Sequence, residues 1–574
     1  MKNNYKIFFL NTLVYFIYMF FSLGLSAQEP VKTEGNEKPA QEESKEYRTS
    51  MKGDIPAEYM RSFLATPEQA GAVRKGNLFW YDSLKIGFHS RSRYEGRQNA
   101  DFNKTTSDYA DFIGQTTQVW FLADPSPYFA FKLTLQDSRL WGGSQNSGAG
   151  GDSRYANTTG AGKVIIPNAT SAPTTLRNST DIREAFIMIK KTEILPVNIQ
   201  IGRQIFAYGD LKLIGPLNWV YTGFSFDGIR FMYDSKYFSS HLFGTVLSEQ
   251  HDGPAGLASS NGKSRGSIDD AYFTGSYNTL KPSDLFHIDL YGFGVHKKWI
   301  QPASPLTTQD RQRQRDELIT GGIRITNRTD KGNLPKGQIF DWTVESAWQK
   351  GLTGERVGAD WDLLNQTYSG QRVFTEQVKY DARFLSAEAG VHFLEKFRWG
   401  VGYTYASGDP NRNDEKVGTW QPLFPQIAGS MPYWNMMNGQ STMVGFQNVK
   451  NYSTRLNIKS SFGTFIFALY DIQKAKSQDA WYNVGGAAVS GGSSENRTNN
   501  RYQYDANAHL GKRLFYQYDF TYMFTYKEYV SFWAGFSLIQ AQDAIRNARQ
   551  ISETATYTFE PASRYYYLMV SALF

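Results

Sequence analysis

From residue 80 to the carboxy terminus the side chains change character with a period of two, and the connections between these stretches are alternately short and long. A period of two puts successive side chains on opposite faces of a strand. In Arg398-Trp399-Gly400-Val401-Gly402-Tyr403-Thr404-Tyr405, the residues Trp399, Val401, Tyr403 and Tyr405 share one face. The runs Leu385–Phe393, Thr454–Lys459 and Tyr516–Tyr522 repeat the pattern. Counting back from Phe574 in twos gives Ala572, Val570, Leu568 and Tyr566, one apolar face of a closing strand. Short connections fall near 124–127, 191–196, 234–237, 279–284, 328–337, 394–397, 460–463 and 526–529. Long ones fall near 98–110, 142–179, 206–223, 249–268, 299–315, 351–378, 408–447, 474–507 and 541–562. Eight short and nine long connections require eighteen strands, with sixteen as the alternative count. Short turns at one end and long loops at the other are the rhythm of a membrane barrel. The expectation is an all-β chain: a transmembrane antiparallel β-barrel of about 18 strands with long extracellular loops. Its lumen is expected to hold water rather than a packed core.

Composition narrows the function classes. The chain has no Cys, which excludes disulfides, thiol catalysis and Cys-based metal sites. Its net charge of +7 is spread along 574 residues, unlike the concentrated patch of a nucleic-acid binder. Mean hydropathy is −0.48, far too polar for a helical membrane protein, while 16% aromatic residues argue against disorder. A secreted soluble β-protein is the rival class.

Residues 1–27 read as a secretory signal. Lys2 and Lys6 precede an apolar stretch from Ile7 to Leu25, and cleavage is expected near Ala27. The stretch is also long enough to be an uncleaved anchor. Residues 28–75 read as a periplasmic tail, rich in Glu and Lys at first, with a short helix possible in 55–75. Residues 76–574 form the barrel, and the expected location is the outer membrane of a Gram-negative-type bacterium.

Two blocks carry a family resemblance. The first comprises Asp181-Ile182-Arg183-Glu184-Ala185-Phe186, Gln200 to Asp210 (QIGRQIFAYGD), Leu213-Ile214-Gly215, Trp219 and Phe226-Asp227-Gly228-Ile229-Arg230. The second comprises Tyr405 to Pro410, Asp414 and Pro422-Leu423-Phe424-Pro425. Together they resemble the alginate-export family of outer-membrane channels. That resemblance implies an eighteen-stranded monomeric barrel with a charged, mainly basic pore. It does not settle the cargo, since alginate is the substrate of only some members.

A pore for anions needs fixed cations facing water. Alternation assigns the lumen face to Lys85, His89, Arg91 and Arg93, and likewise to Lys132, Arg230, Arg324, Arg398, Arg455 and Lys459. Arg183 and Arg203 come from the family block, where the alternation is ambiguous. Asp181 and Asp227 read as carboxylates that fix Arg orientation, since a bidentate pair is geometrically specific. The competing reading is that these cations simply pair with Asp341, Glu345, Glu388 and Asp519 and stiffen the barrel. Asp409, Asn411 and Asn413 make a weak calcium-loop candidate, without the Gly and Glu such a loop requires. Gly262-Lys263-Ser264 fails the spacing of a phosphate loop. No cofactor is expected.

The leading function is an outer-membrane channel for passive passage of anionic polysaccharide or small anionic or sugar solutes. The alternatives are a surface adhesin or ligand-binding barrel and an outer-membrane hydrolase. Expected partners are outer-membrane lipid or lipopolysaccharide, the solute itself and periplasmic export proteins, with no nucleic acid.

Overall fold

The computed structural model describes residues 84–104, 110–141, 179–248, 268–283, 285–299, 316–328, 338–353, 357–362, 367–373, 377–394, 396–411, 414–426, 438–484, 510–526, 530–550 and 558–573. The signal and tail expected in 1–75 lie outside them. The strands in chain order are β1 (Leu84–Gln98), β2 (Ala110–Ala123), β3 (Phe129–Leu140), β4 (Ser179–Ile189), β5 (Asn198–Gln204), β6 (Phe226–Asp234) and β7 (Phe238–Ser248). Next come β8 (Ile268–Ser283), β9 (Phe286–Trp299), β10 (Asp316–Thr326), β11 (Phe340–Leu352), β12 (Val357–Asp362), β13 (Thr367–Val373) and β14 (Lys379–Phe393). The last are β15 (Phe397–Ala406), β16 (Lys416–Val417), β17 (Val449–Ser460), β18 (Gly463–Lys474), β19 (Arg513–Tyr526), β20 (Val530–Ala541) and β21 (Ala562–Leu573).

Nineteen of these strands form one sheet. One of the nineteen, β16, is a two-residue appendage pairing in parallel with β14, so eighteen strands make the wall. Each wall strand pairs antiparallel with its neighbour in sequence, and β1 pairs with β21 from His89↔Leu573 to Gln98↔Arg564. That last pairing closes the barrel and leaves no edge. The separate hairpin β12–β13 and the helix α1 (Asp543–Gln550) lie in two of the long connections. Neither was visible in the alternation. Among the described residues no helix is long and apolar enough to cross a membrane.

Burial follows the period of two. In β11 the side chains alternate between buried and accessible along most of the strand. The accessible face is apolar around the barrel: Ile187, Leu242, Ile319, Val344, Trp399, Phe467 and Val570 are all exposed. A monomer in water rarely shows so continuous an apolar belt, whereas lipid requires one.

The lumen departs from the water-filled expectation. A cluster of buried side chains occupies it, joining strand residues such as Phe243, Phe273, Tyr291 and Phe384 to connection residues such as Phe206, Trp219, Trp420, Phe424 and Phe446. The long connections are unusually apolar in places, and the lumen is where they bury that surface.

Candidate functional site: the barrel lumen

The connection 205–225 leaves β5 and turns inward. Phe206, Leu211, Leu213, Ile214, Leu217, Trp219, Val220 and Phe224 are all buried. Full burial of such a side chain is worth ~1.5–3 kcal/mol, enough to offset much of the cost of ordering the segment. At one end it meets β1–β4. Arg91 donates to the carbonyls of Asn218 and Val220, the latter at 2.9 Å. Arg93 donates to the Trp219 carbonyl at 2.8 Å and lies 3.8 Å from the centroid of the Trp219 ring. Arg183 donates to the Pro216 carbonyl and Asn218 Oδ1, both at 2.9 Å. Gly223 makes room for it: φ is +71°, and a Cβ there would stand 2.4 Å from Arg183 Nη2.

At its other end the connection meets β10 and β14. Asp210 accepts from Arg324 at 2.6 Å, and Lys212 donates to Glu388 at 2.8 Å. In a closed wall of eighteen, β1 and β10 stand on opposite sides. The segment is therefore a strap across the lumen. A second connection joins it there, since Gly215 donates to the Phe424 carbonyl at 2.7 Å and Phe424 donates to the Leu213 carbonyl at 2.9 Å. These bonds bring the two sequence blocks that carry the family resemblance into contact. A third segment, near 438–448, lines the wall beside β1 and β19: Arg97 donates to the Ser441 carbonyl at 2.8 Å and Gln440 donates to Asp519 at 2.9 Å.

The two ends of the strap sit in different electrostatic surroundings. The β1–β4 side holds Arg91, Arg93, Arg97, Lys132 and Arg183, all buried, against the two carboxylates Glu95 and Glu184. Arg93 pairs with Glu95 and Lys132 with Glu184, each at 2.6 Å. Arg91 and Arg183 rest on carbonyl and amide oxygens, which orient a guanidinium without cancelling its charge. Burial keeps the Tyr221 hydroxyl far from ionising, against the opposing pull of Arg93. A small, partly open cavity lies here, lined by His89, Arg91, Gln118, Gln136, Asn218 and Tyr221.

The opposite side is balanced. Arg324 donates to Asp289 as well as Asp210, both at 2.6 Å. Arg328 and Arg398 share Asp341, with Arg398 bidentate at 2.6 and 2.7 Å. His392 reaches the same carboxylate at 2.8 Å. Glu388 also takes Arg328 at 3.4 Å, and Glu345 accepts from Tyr291 at 2.9 Å. Burial would raise the Asp210 carboxyl, but Arg324, Arg328 and Lys212 hold it well below the usual carboxylate range.

The expected site residues are placed as follows. Arg91, Lys132, Arg183, Arg324, Arg398 and Arg455 are buried among the lumenal groups, and Arg230 faces inward beside Gln200, 5.1 Å from the Phe206 ring. Arg183 and Glu184 both turn inward because β4 bulges opposite Thr134 and Leu135. Arg203 and Asp227 do not line the lumen. They sit on the outer face with exposed Ile201 and Tyr233, and pair with each other through two bonds of 2.7 Å. Asp181 lies 3.8 Å from Arg203. The side chain of Lys85 lies outside the described residues, as does Asn413. Asp409 is buried and accepts from the Asn411 backbone at 3.0 Å, while its own N–H donates to Asp479. No cluster of three metal-binding side chains occurs among the described residues.

Some participants were missed. Glu95 and Arg97 continue the inward phase of His89, Arg91 and Arg93, and extending that count would have found them. Asp210 and Lys212 lie in or beside the first family block but carry no strand periodicity. Arg328 lies just past the end of β10, where alternation no longer applies.

A family model described as alginate export matches residues 82–557. No curated protein matches the chain by sequence. Among solved structures, OccAB1 of Acinetobacter baumannii is 10% identical, with 87% of this chain and 99% of that one covered and a TM-score of 0.48. OpdQ of Pseudomonas aeruginosa is 11% identical over 86% of this chain and 98% of that one, with a TM-score of 0.46. OpdK of Pseudomonas aeruginosa, solved with vanillate, is 9% identical over 86% and 100%, with a TM-score of 0.46.

Proposed function

The chain belongs to the alginate-export family of outer-membrane channels, and from that premise we propose that it passes small anionic sugars and related carboxylated solutes along the basic side of its lumen. Anionic polysaccharide is the larger cargo of the same chemistry, and its passage requires the strap to move. One observation carries the reading: five buried cations on β1–β4 face only two carboxylates, while the opposite side is neutralised. Fixed cations beside a low-dielectric wall concentrate anions and repel cations. Most of these cations are held by backbone oxygens of the strap, so they keep both their charge and their aim. The path runs past Arg91, Arg183 and Lys132 and past inward-facing Arg230.

Reversal potentials in planar bilayers under a salt gradient test this. The wild-type channel is expected to prefer anions, less so as salt rises, because ~0.15 M salt screens exposed charge beyond about 8 Å. Arg230→Glu should lower the anion preference while leaving the barrel folded. A cation-selective wild type would refute the mechanism. An unchanged reversal potential in Arg230→Glu would take that residue out of the path.

A further inference from the structure

The outer face carries charged pairs toward its long-loop end. Arg139 pairs with Asp137 at 2.5 Å, Arg203 with Asp227 at 2.7 Å and Arg513 with Asp471 at 3.1 Å. The sector formed by β11, β14, β15 and β17 departs from this pattern. Lys350 pairs with Asp381 at 2.7 Å. Arg383, two positions along the same face of β14, and Lys450 on β17 have no carboxylate in ion-pair range among the described residues. Lys450 instead lies 5.9 Å from the ring of Tyr405. Lys379 stands beside Lys416 across the β14–β16 bridge, and Asp381 lies in the combined field of Lys350, Lys416 and Arg383. Among the described residues the acidic groups at hand are Asp381, Asp414, Glu415 and Asp471, fewer than Lys350, Lys379, Arg383, Lys416, Lys450 and Arg513 around them.

Register fixes the shape of the patch. Arg383 follows Phe384↔Ala406 in register, and Lys450 is opposite Tyr405, so the two stand two strands apart. Lys350 adds one strand on the other side, next to Asp381. Three strand spacings span roughly 15 Å, wide enough for two phosphates on one disaccharide. Beside and below the cations the same face is apolar: Trp348 stands opposite Arg383, and Tyr452 and Val401 follow toward the membrane, all three exposed. A water-soluble anion would need only the cations. An amphiphile with phosphates at the interface and acyl chains below fits both halves.

We propose that this sector binds a phosphorylated, multiply acylated glycolipid of the outer leaflet. Lys350, Arg383 and Lys450 contact its phosphates, and its acyl chains lie against Trp348, Tyr452 and Val401. The site also sets the long-loop end of the barrel in that leaflet. It rests on the outer-membrane location and on no assumption about cargo.

The test uses the full chain, purified in detergent and stripped of lipid, with lipid A as probe and dephosphorylated lipid A as comparison, read by native mass spectrometry. A basic side chain near a phosphate surface is worth about fivefold in affinity. The triple variant Lys350→Gln, Arg383→Gln, Lys450→Gln should therefore bind lipid A on the order of a hundredfold more weakly. The control triple Arg139→Gln, Arg203→Gln, Arg513→Gln should bind as wild type does. Wild type should prefer the phosphorylated lipid. If the first triple fails to fold, the single variants Arg383→Gln and Lys450→Gln carry the test at about fivefold each. Undiminished binding by the triple or by both singles, equal loss in the control, equal binding of dephosphorylated lipid, or displacement by inorganic phosphate at like concentration would each overturn the proposal. Ion selectivity should not change in the triple, which separates this site from the lumenal one.

Discussion

Arg324 is neutralised where it stands, because Asp289 and Asp210 take opposite sides of its guanidinium at 2.6 Å. Replacing it by Met should leave two buried carboxylates facing one another, and breaking a buried pair from one side costs about 3–5 kcal/mol. Urea unfolding of Arg324→Met against wild type measures this, and adding Asp210→Asn should recover part of the loss. The pH dependence has a definite sign. Asp210 is held below its ordinary range, so its contribution is fully present above the unfolded carboxylate value near ~4. It is lost only as pH falls through the lower folded value. The part of the strap's stability that Asp210 supplies, read by comparing protease cleavage within 205–225 in wild type and Asp210→Asn, should thus be lost only in acid below the ordinary carboxylate range. The alternation in the sequence showed that Arg324, Arg398 and Arg455 face inward. It did not show what each would meet, because the Asp210 that takes Arg324 comes from 114 residues away. For Arg203 the family block favoured the lumen, yet the residue shares the face of exposed Ile201 on β5 and is satisfied there by Asp227.

At the scale of elements, the connections were the most legible part of the chain. Turns such as 394–397 and 526–529, and loops such as 206–223 and 541–562, fall within a few residues of the observed strand ends. Turn chemistry and period-two breaks are local, so one sequence suffices to find them. The fate of a long connection is not local. The strap carries enough apolar side chains to have announced its burial, but nothing nearby in sequence said that it would cross to β10 rather than fold over the mouth. Its far end can be released without stranding a charge. Asp210→Asn with Lys212→Gln removes one group of each sign, leaving Arg324 on Asp289 and Glu388 on Arg328. Single-channel conductance of this double variant should rise severalfold over wild type while selectivity keeps its sign, since the β1–β4 cations are untouched. Unchanged conductance would mean that the bonds to Phe424 and Leu213 hold the strap by themselves.

On the scale of the whole molecule, closure of the barrel and support of the strap converge on one strand. β21 pairs with both β20 and β1, and without it both would expose an edge. Its inward face also reaches the lumenal groups: Tyr565 donates to Glu95 at 2.8 Å, and the Tyr567 ring lies edge-on to Trp219 with centroids 4.9 Å apart. These roles can be separated. Truncation after Pro561 removes the closing strand together with its side chains, and the product should fail to form a barrel. Tyr567→Ala keeps every backbone bond of the closing strand and deletes only a fully buried ring, a loss of about 3–5 kcal/mol by the behaviour of large core aromatics. The two variants should therefore differ in electrophoresis without boiling. The truncated chain should run as unfolded protein, whereas Tyr567→Ala should retain the compact, heat-sensitive form seen for wild type. In bilayers Tyr567→Ala should resemble the strap-releasing double variant, with higher conductance, because Trp219 loses the ring against which it packs between Arg93 and the wall. If Tyr567→Ala instead ran as unfolded protein, the lumenal packing would belong to the stability of the barrel itself, and the strap would be a structural brace whose movement closes no pore.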